Sequence, residues 1–287
     1  ENGRRESNWD FGTNPCSEII LRPNQFCNLT EIVVRAGDTV NTLTRKIKVA
    51  TLLGTIQSTF TNFGYLRKRW QDNTEEERLL GVSLTGIMDS ELLNGKEAGL
   101  EKTLEKLKKV AVDCNKEYAD KFGINQSTAI TCVKPSGTVS QLVDSASGIH
   151  ARHNPYYIRT VRGDNKDPLT EFLKASGIPN EADVMKKEHT TVFSFPMMAP
   201  KGSVCRTDMT AIEQLEIWKI YAKHWCEHKP SVTISVKEEE WVPVGAWCWE
   251  NFEYLSGVSF LPFSDHTYQQ APYQDIDEKT YKKLVKA

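Results

Sequence analysis

TNPCSEIILRPNQFCNLTEIVV, residues 13–34, sets two cysteines, a carboxylic acid and an amide among β-like apolar runs. Asn14, Cys16 and Glu18 follow one another at two-residue spacing, and in an extended chain side chains at i, i+2 and i+4 share a face. An amide, a thiol and a carboxyl group would then project into one space. A strand serving a core alone would carry apolar residues there, and Pro15 is out of place in its middle. Residues 16–21 and 26–34 read as extended runs divided by the turn signal RPNQ. A hairpin-like bend there brings Cys16 and Cys27 near each other, whereas a straight strand would hold them about 36 Å apart.

Outward from this stretch, AGDT (36–39) offers a helix start capped by Asp38 or Thr39, with apolar positions recurring to Leu66. LLGVSLTGIMD (79–89) reads as a buried strand. Leu100, Leu104, Leu107, Ala111, Cys114 and Tyr118 form one apolar stripe that ends near Gly123, the clearest helix in the chain. STAITCV (127–133), YYIRTVRG (156–163), TTVFSFPM (190–197), SVTISV (231–236) and GVSFLP (257–262) read as strands. Helices are expected at DPLTEFLKAS, over about 209–228 and over the Trp-rich 238–254. Strands alternating with helices predict an α/β fold, as one domain or one half of a larger one.

The chain has 287 residues, 39% hydrophobic and 26% charged, with a formal net charge of -2, so a sizeable core is affordable and nothing points to nucleic acid. No run approaches the roughly eighteen apolar residues of a membrane helix, and ENGRRESNWD is not a signal peptide. Seven cysteines without CxxC spacing fit neither a disulfide scaffold nor a zinc ribbon, so free thiols in a reducing, cytoplasmic setting are expected. The first residue is Glu and the chemistry-like motif comes early, from which the chain is expected to be the later part of something longer.

VKPSGTVSQLV (133–143) reads as a strand, a turn and an apolar helix. Unsatisfied N–H groups at a helix start favour a phosphate, while small polar residues also cap helices with no ligand. Taken alone, the segment favours the cap. Cys16 and Cys27 are either two buried structural thiols or a redox pair. Glu18 beside Cys16 disfavours a thiolate, which argues against an ionic nucleophile and suits a thiol that gives up a hydrogen atom. His224 and His228 of HWCEH stand at i, i+4, a metal-compatible spacing, but a helix end and Trp225 favour a structural role. HARH (150–153) is either anion-binding or solvated, and Cys114 belongs to the core stripe. Cys132, Cys205 and Cys248 show no partner pattern.

Taken together, NPCSEIIL with FCNL, KPSGTVSQ, SGIHARHNPYYIRTVR, HWCEHKPSVTISV and GVSFLPFSDHTYQQAPYQ resemble one family, the adenosylcobalamin-dependent (class II) ribonucleotide reductases, in particular the monomeric ribonucleoside-triphosphate reductase type. The match runs in the family's order from residue 12 to about 274, and PSGT with NPC fits class II better than class I. The resemblance implies the second half of a ten-stranded α/β barrel, with a finger loop over about 13–27 carrying the radical cysteine. It assigns Cys16 as the thiyl radical that abstracts the ribose 3′ hydrogen, Glu18 as the base for the 3′-hydroxyl proton, and Asn14 as the amide that binds ribose hydroxyls. Cys27 becomes one of two reducing cysteines, and Pro135, Ser136, Gly137, Thr138, Val139 and Ser140 become the loop for substrate phosphates.

The resemblance also implies adenosylcobalamin as cofactor, with contact residues unassigned, and a ribonucleoside triphosphate or diphosphate as substrate. A thioredoxin-like or small dithiol reductant is expected, with neither membrane nor direct nucleic-acid partner. The family's second reducing cysteine and specificity region belong to the first half, so an N-terminal half is expected as partner. The rival functions are a non-catalytic nucleotide-binding or assembly fragment and a glycyl-radical-type barrel enzyme. The glycyl motif of the latter is missing from DHTYQQAPYQDIDEKTYKK, and the joint presence of Asn14, Cys16, Glu18 and Cys27 argues against the former.

Overall fold

The computed structural model describes residues 3–263 and 269–286; part of the GVSFLPFSDHTYQQAPYQ motif, residues 264–268, lies outside them. The chain divides into two compact units. The first comprises Glu1–Ala151, Gly202–Val204 and Asp208–Phe263, and the second Arg152–Lys201, Cys205–Thr207 and Ser264–Ala287.

The first unit opens with β1 (Gly12–Thr13), β2 (Ile20–Leu21) and β3 (Asn28–Val33), followed by α1 (Val40–Gln57), α2 (Lys68–Glu77) and β4 (Leu80–Thr85). It continues through α3 (Leu100–Phe122), β5 (Thr131–Cys132) and α4 (Val139–Leu142). β4 is buried along its whole length, as its unbroken LGVSLT run requires of a strand covered on both faces. It pairs in parallel with β3, from Asn28↔Leu80 to Val33↔Thr85, and with β5 through Val82↔Thr131 and Ser83↔Cys132. Thr39 caps α1, with Thr42 returning the bond, and Gly123 in the left-handed conformation ends α3 where the stripe stops.

The second unit holds β6 (Tyr156–Asp164), α5 (Pro168–Ala175), β7 (Asn180–Ala182) and β8 (Thr190–Met198). In the first unit the chain then adds α6 (Ala211–His224), β9 (Val232–Val236), α7 (Trp241–Glu250) and β10 (Val258–Pro262), whereas β11 (Tyr273–Asp275) and α8 (Glu278–Lys286) belong to the second. β9 and β10 are parallel in register from Val232↔Val258 to Val236↔Pro262. A parallel bridge, Val133↔Pro230, links β5 to the start of β9. The first unit thus sets five parallel strands in chain order, β3-β4-β5-β9-β10, each step crossing through helix. Its core runs from Leu43 and Ile47 of α1 through Leu104 and Leu107 of α3 to Trp218, Tyr221 and Trp225 at α6. In the second unit, β11-β6-β8-β7 make an antiparallel sheet, the usual pattern for a sheet solvated on one side.

Three expectations change. STAITCV forms a strand only at Thr131–Cys132, and the helix after PSGT is a single turn. The helix expected to reach residue 228 stops at His224, so His224 and His228 are not one turn apart on a helix. Gly148 holds φ at +54°, and a Cβ there would lie 2.3 Å from the Lys134 carbonyl oxygen. Gly148→Ala is therefore expected to destabilise the protein by about 1–3 kcal/mol, read as a lower denaturant midpoint at unchanged m-value.

Candidate active site

β1 and β2 pair antiparallel, Gly12↔Leu21 and Thr13↔Ile20, and residues 14–19 form the loop between them. Asn14 closes that loop. Its Oδ1 accepts the Ile19 N–H (3.0 Å), its carbonyl accepts the Ser17 N–H (2.9 Å), and its own N–H donates to the Ile19 carbonyl (3.3 Å). Ser17 takes a left-handed φ of 62°. The extended face expected for Asn14, Cys16 and Glu18 is therefore replaced by a turn. Cys16 is exposed at the turn and Glu18 is buried beneath it.

The loop is anchored across the parallel sheet. The Glu18 carbonyl accepts the Lys229 N–H (3.0 Å) ahead of β9, and a Cβ on Gly257, ahead of β10, would lie 3.2 Å from the Ser17 carbonyl oxygen. Ile19 packs toward β4, where a Cβ on Gly81 would stand 3.0 Å from Ile19 Cδ1 and 3.4 Å from Cys132 Sγ. Only a residue without a side chain lets Ile19, Leu29 and Cys132 meet there.

Glu18 Oε2 is buried with no hydrogen-bond partner. A buried carboxylate oxygen is costly to leave unpaired, so the position is suited to an incoming donor. RPNQ makes the expected turn: Asn24 is left-handed and the Arg22 N–H donates to Gln25 Oε1 (2.9 Å). Beyond the turn Cys27 lies within electrostatic reach of Glu18. Burial pushes the Cys27 thiol far above its ordinary pKa, Glu18 adds to the shift and Arg5 opposes it. Burial likewise raises Cys132, with smaller contributions from Cys226, Cys27 and Glu18. These thiols stay protonated at neutral pH.

Sequence reasoning missed two supports of the site. Glu77 of α2 accepts hydrogen bonds from Arg5 (2.9 Å) and Gln25 (2.5 Å) and lies 3.5 Å from Arg22, bracing the RPNQ turn. No local signal marks partners so far apart in the chain. Cys132 has no spacing motif and joins the group only through β5.

Pro135–Ser140 follow β5. Ser136 Oγ accepts the Ser140 N–H (3.1 Å) and Ser140 Oγ donates to the Ser136 carbonyl (2.8 Å), so both buried serines are committed inside the loop. Gly137, Thr138 and Val139 are exposed. The Gly137 and Thr138 N–H groups donate to no acceptor among the described residues. The loop leaves the C-terminal end of β5, while Cys27 and the 14–19 loop stand at the N-terminal ends of the strands.

His228, His150, His224 and His153 are held in structural contacts. His228 donates from Nε2 to the Leu80 carbonyl (2.9 Å) and accepts the Ile20 N–H at Nδ1 (3.3 Å). His150 donates to the Ser147 carbonyl (2.8 Å) and accepts the Thr233 N–H (3.0 Å). His224 pairs with Glu105 and His153 with Asp275. Among the described residues no cluster of His, Cys, Asp and Glu has metal-site geometry. No helix there is long and apolar enough to cross a membrane. Burial, aided by Arg5, pulls the His228 pKa down to about 3. The unfolded imidazole takes up its proton near 6.5, so the His228 contribution to stability is complete above that pH and falls as pH drops toward 3. Unfolding midpoints at pH 7 and pH 5 should show a loss of up to about 1.4 kcal/mol per pH unit from this group, and a smaller loss in His228→Asn.

No protein-family model matches the chain. It is 28% identical to the adenosylcobalamin-dependent ribonucleoside-triphosphate reductase of Lactobacillus delbrueckii subsp. bulgaricus, over 95% of this chain and 40% of that protein. It is 30% identical to the probable adenosylcobalamin-dependent ribonucleoside-triphosphate reductase of Dictyostelium discoideum, over 96% of this chain and 36% of that one. A crystal structure of a B12-dependent (class II) ribonucleotide reductase superposes with a TM-score of 0.83 at 27% identity, covering 96% of this chain and 42% of its own. The α subunit of the Actinobacillus ureae class Id reductase shares the fold alone, with a TM-score of 0.55 at 13% identity over 88% of this chain and 53% of its own. The chain therefore spans about two fifths of the length of the curated relatives it matches. The resemblance carried by its motifs extends over nearly all of it, in sequence and in fold.

Proposed function

We propose that this chain is the second half of the catalytic barrel of an adenosylcobalamin-dependent ribonucleotide reductase, reducing a ribonucleoside triphosphate or diphosphate to its 2′-deoxy form. The observation that carries the proposal is the buried, unpaired Glu18 Oε2 beside a protonated Cys27, under a loop that exposes Cys16. Five parallel strands with unpaired outer edges at β3 and β10, among the described residues, support the half-barrel. Open edges of this kind seek strands, and the N-terminal half is their partner in this account.

Each residue has one task. Cys16, as a thiyl radical, takes the hydrogen atom from C3′, and Glu18 accepts the 3′-hydroxyl proton. The 2′-hydroxyl leaves as water with a proton from a neutral thiol, for which the raised Cys27 is suited. The second reducing cysteine, in the N-terminal half, gives its hydrogen atom to C2′, and its sulfur joins that of Cys27 as a disulfide. The electron left over and the proton held by Glu18 go back to the 3′ oxygen, and Cys16 returns its hydrogen to C3′. Asn14, whose Oδ1 is occupied by the loop, orients the ribose through its Nδ2. Gly137 and Thr138 offer free N–H groups to the phosphates, so the phosphate task falls on the exposed part of Pro135–Ser140.

The residues fit the cofactor at one point. His150, His153, His224 and His228 are committed to hydrogen bonds, whereas the Cys16 thiol is exposed where a radical would have to arrive. When bound, adenosylcobalamin supplies that radical by homolysis of its cobalt–carbon bond. A thioredoxin-like or small dithiol then reopens the disulfide.

Deoxynucleotide formation with adenosylcobalamin and a dithiol is expected from this chain mixed with the N-terminal half and not from the chain alone. Cys16→Ala should abolish it while nucleotide still binds, and Cys27→Ser should stop after a single turnover at most. Normal steady-state turnover in either variant contradicts the assignment, and no product from the mixture favours a binding or assembly fragment.

A further inference from the structure

The strand register stacks side chains in layers on the sheet face that carries the 14–19 loop. Leu29 pairs with Gly81, against which Ile19 and Cys132 pack, and two residues further along Glu31 pairs with Ser83 and Ser83 with Cys132. Residues two apart in a strand face the same side, about 6.6 Å on, so Glu31 and Ser83 form the next layer. Lys134, two beyond Cys132, joins it: its N–H donates to Ser83 Oγ (2.8 Å), and its Nζ stands 4.0 Å from Glu31 Oε2.

Neither charge is satisfied. The Glu31 side chain is 9% exposed, and its Oε1 is buried without a hydrogen-bond partner. Lys134 Nζ makes no hydrogen bond among the described residues, and its side chain remains 29% exposed. An ion pair this long, half out of water, does not repay its desolvation as a structural bridge. The pair leaves the Lys134 ammonium with donors to spare, on the strand end that leads into the Pro135–Ser140 turn.

The layer lies between the loop bearing Cys16 and the Pro135–Ser140 turn, which Lys134 immediately precedes. A nucleotide with its ribose over Cys16 and its phosphates at that turn must cross it. The turn itself offers only neutral donors, yet a nucleotide phosphate carries negative charge. We propose that Lys134 is the cation for the substrate phosphate nearest the ribose, and that Glu31 is the positioning residue that holds it there. This rests on the function proposed above and adds a residue to it.

The test is equilibrium binding of a nucleoside and its mono- and triphosphate to the chain assembled with the N-terminal half. Lys134→Met should weaken mono- and triphosphate about ten- to hundredfold and leave the nucleoside unchanged, which also shows that the variant folds. Lys134→Arg should restore most of the affinity. Glu31→Gln should weaken the phosphates less, and add nothing in the Lys134→Met background. Equal loss for nucleoside and nucleotides, or no loss, overturns the inference while leaving the reductase reading intact. Failure of the unsubstituted assembly to bind any nucleotide overturns that reading and the inference with it.

Discussion

Burial of Glu18 at the foot of a parallel sheet is the constraint to which the rest of the site answers. A carboxylate there needs the chain to turn sharply, so Asn14 clasps Ile19 and Ser17 adopts a left-handed backbone. The same turn lifts Cys16 into the open and anchors the loop to the segments ahead of β9 and β10. The negative charge then reaches Cys27 and Cys132 and, together with burial, keeps their thiols neutral. A buried acid, an exposed thiol and neighbouring neutral thiols suit the radical removal of a hydroxyl proposed above better than ionic thiol catalysis.

The sheet supplies the scaffold. Parallel strands put every helix crossover on a face and send every strand the same way, so one end of the sheet holds the loop and Cys27 while the other holds the Pro135–Ser140 turn. In the proposed reading, ribose chemistry and phosphate recognition are thereby separated by a few residues of strand, a distance that one nucleotide spans. The small residues of β4 serve this arrangement. Gly81 admits Ile19 against the sheet, and Ser83 holds the start of the turn.

Much of this was legible in the chain. The α3 stripe, the helix start at Asp38 or Thr39, the Gly123 stop and the buried run of β4 were readable because each depends on neighbours within a few residues. The RPNQ turn was readable for the same reason. The two-residue spacing of Asn14, Cys16 and Glu18 suggested a strand, because nothing in the residue types announces that Ser17 adopts a left-handed φ. α2 escaped notice since KRWQDNTEEE buries little beyond Thr74 and Glu77 and so has no stripe. Cys132, Glu77, Glu31 and Lys134 acquire meaning only from strand register and from contacts across long stretches of chain, which no spacing rule encodes. The division into two units was equally hidden, because the chain crosses between them several times.

The central claim is that Cys16 removes a hydrogen atom from C3′ of a nucleotide. The most direct measurement compares deoxynucleotide formation from ordinary and 3′-deuterated ribonucleotide by the chain assembled with its N-terminal half, in the presence of adenosylcobalamin and a dithiol. The account predicts slower turnover of the deuterated substrate, with the label found again at C3′ of the product. Equal rates together with loss of the label to solvent would contradict it, since the hydrogen would then not have been held by Cys16 and returned.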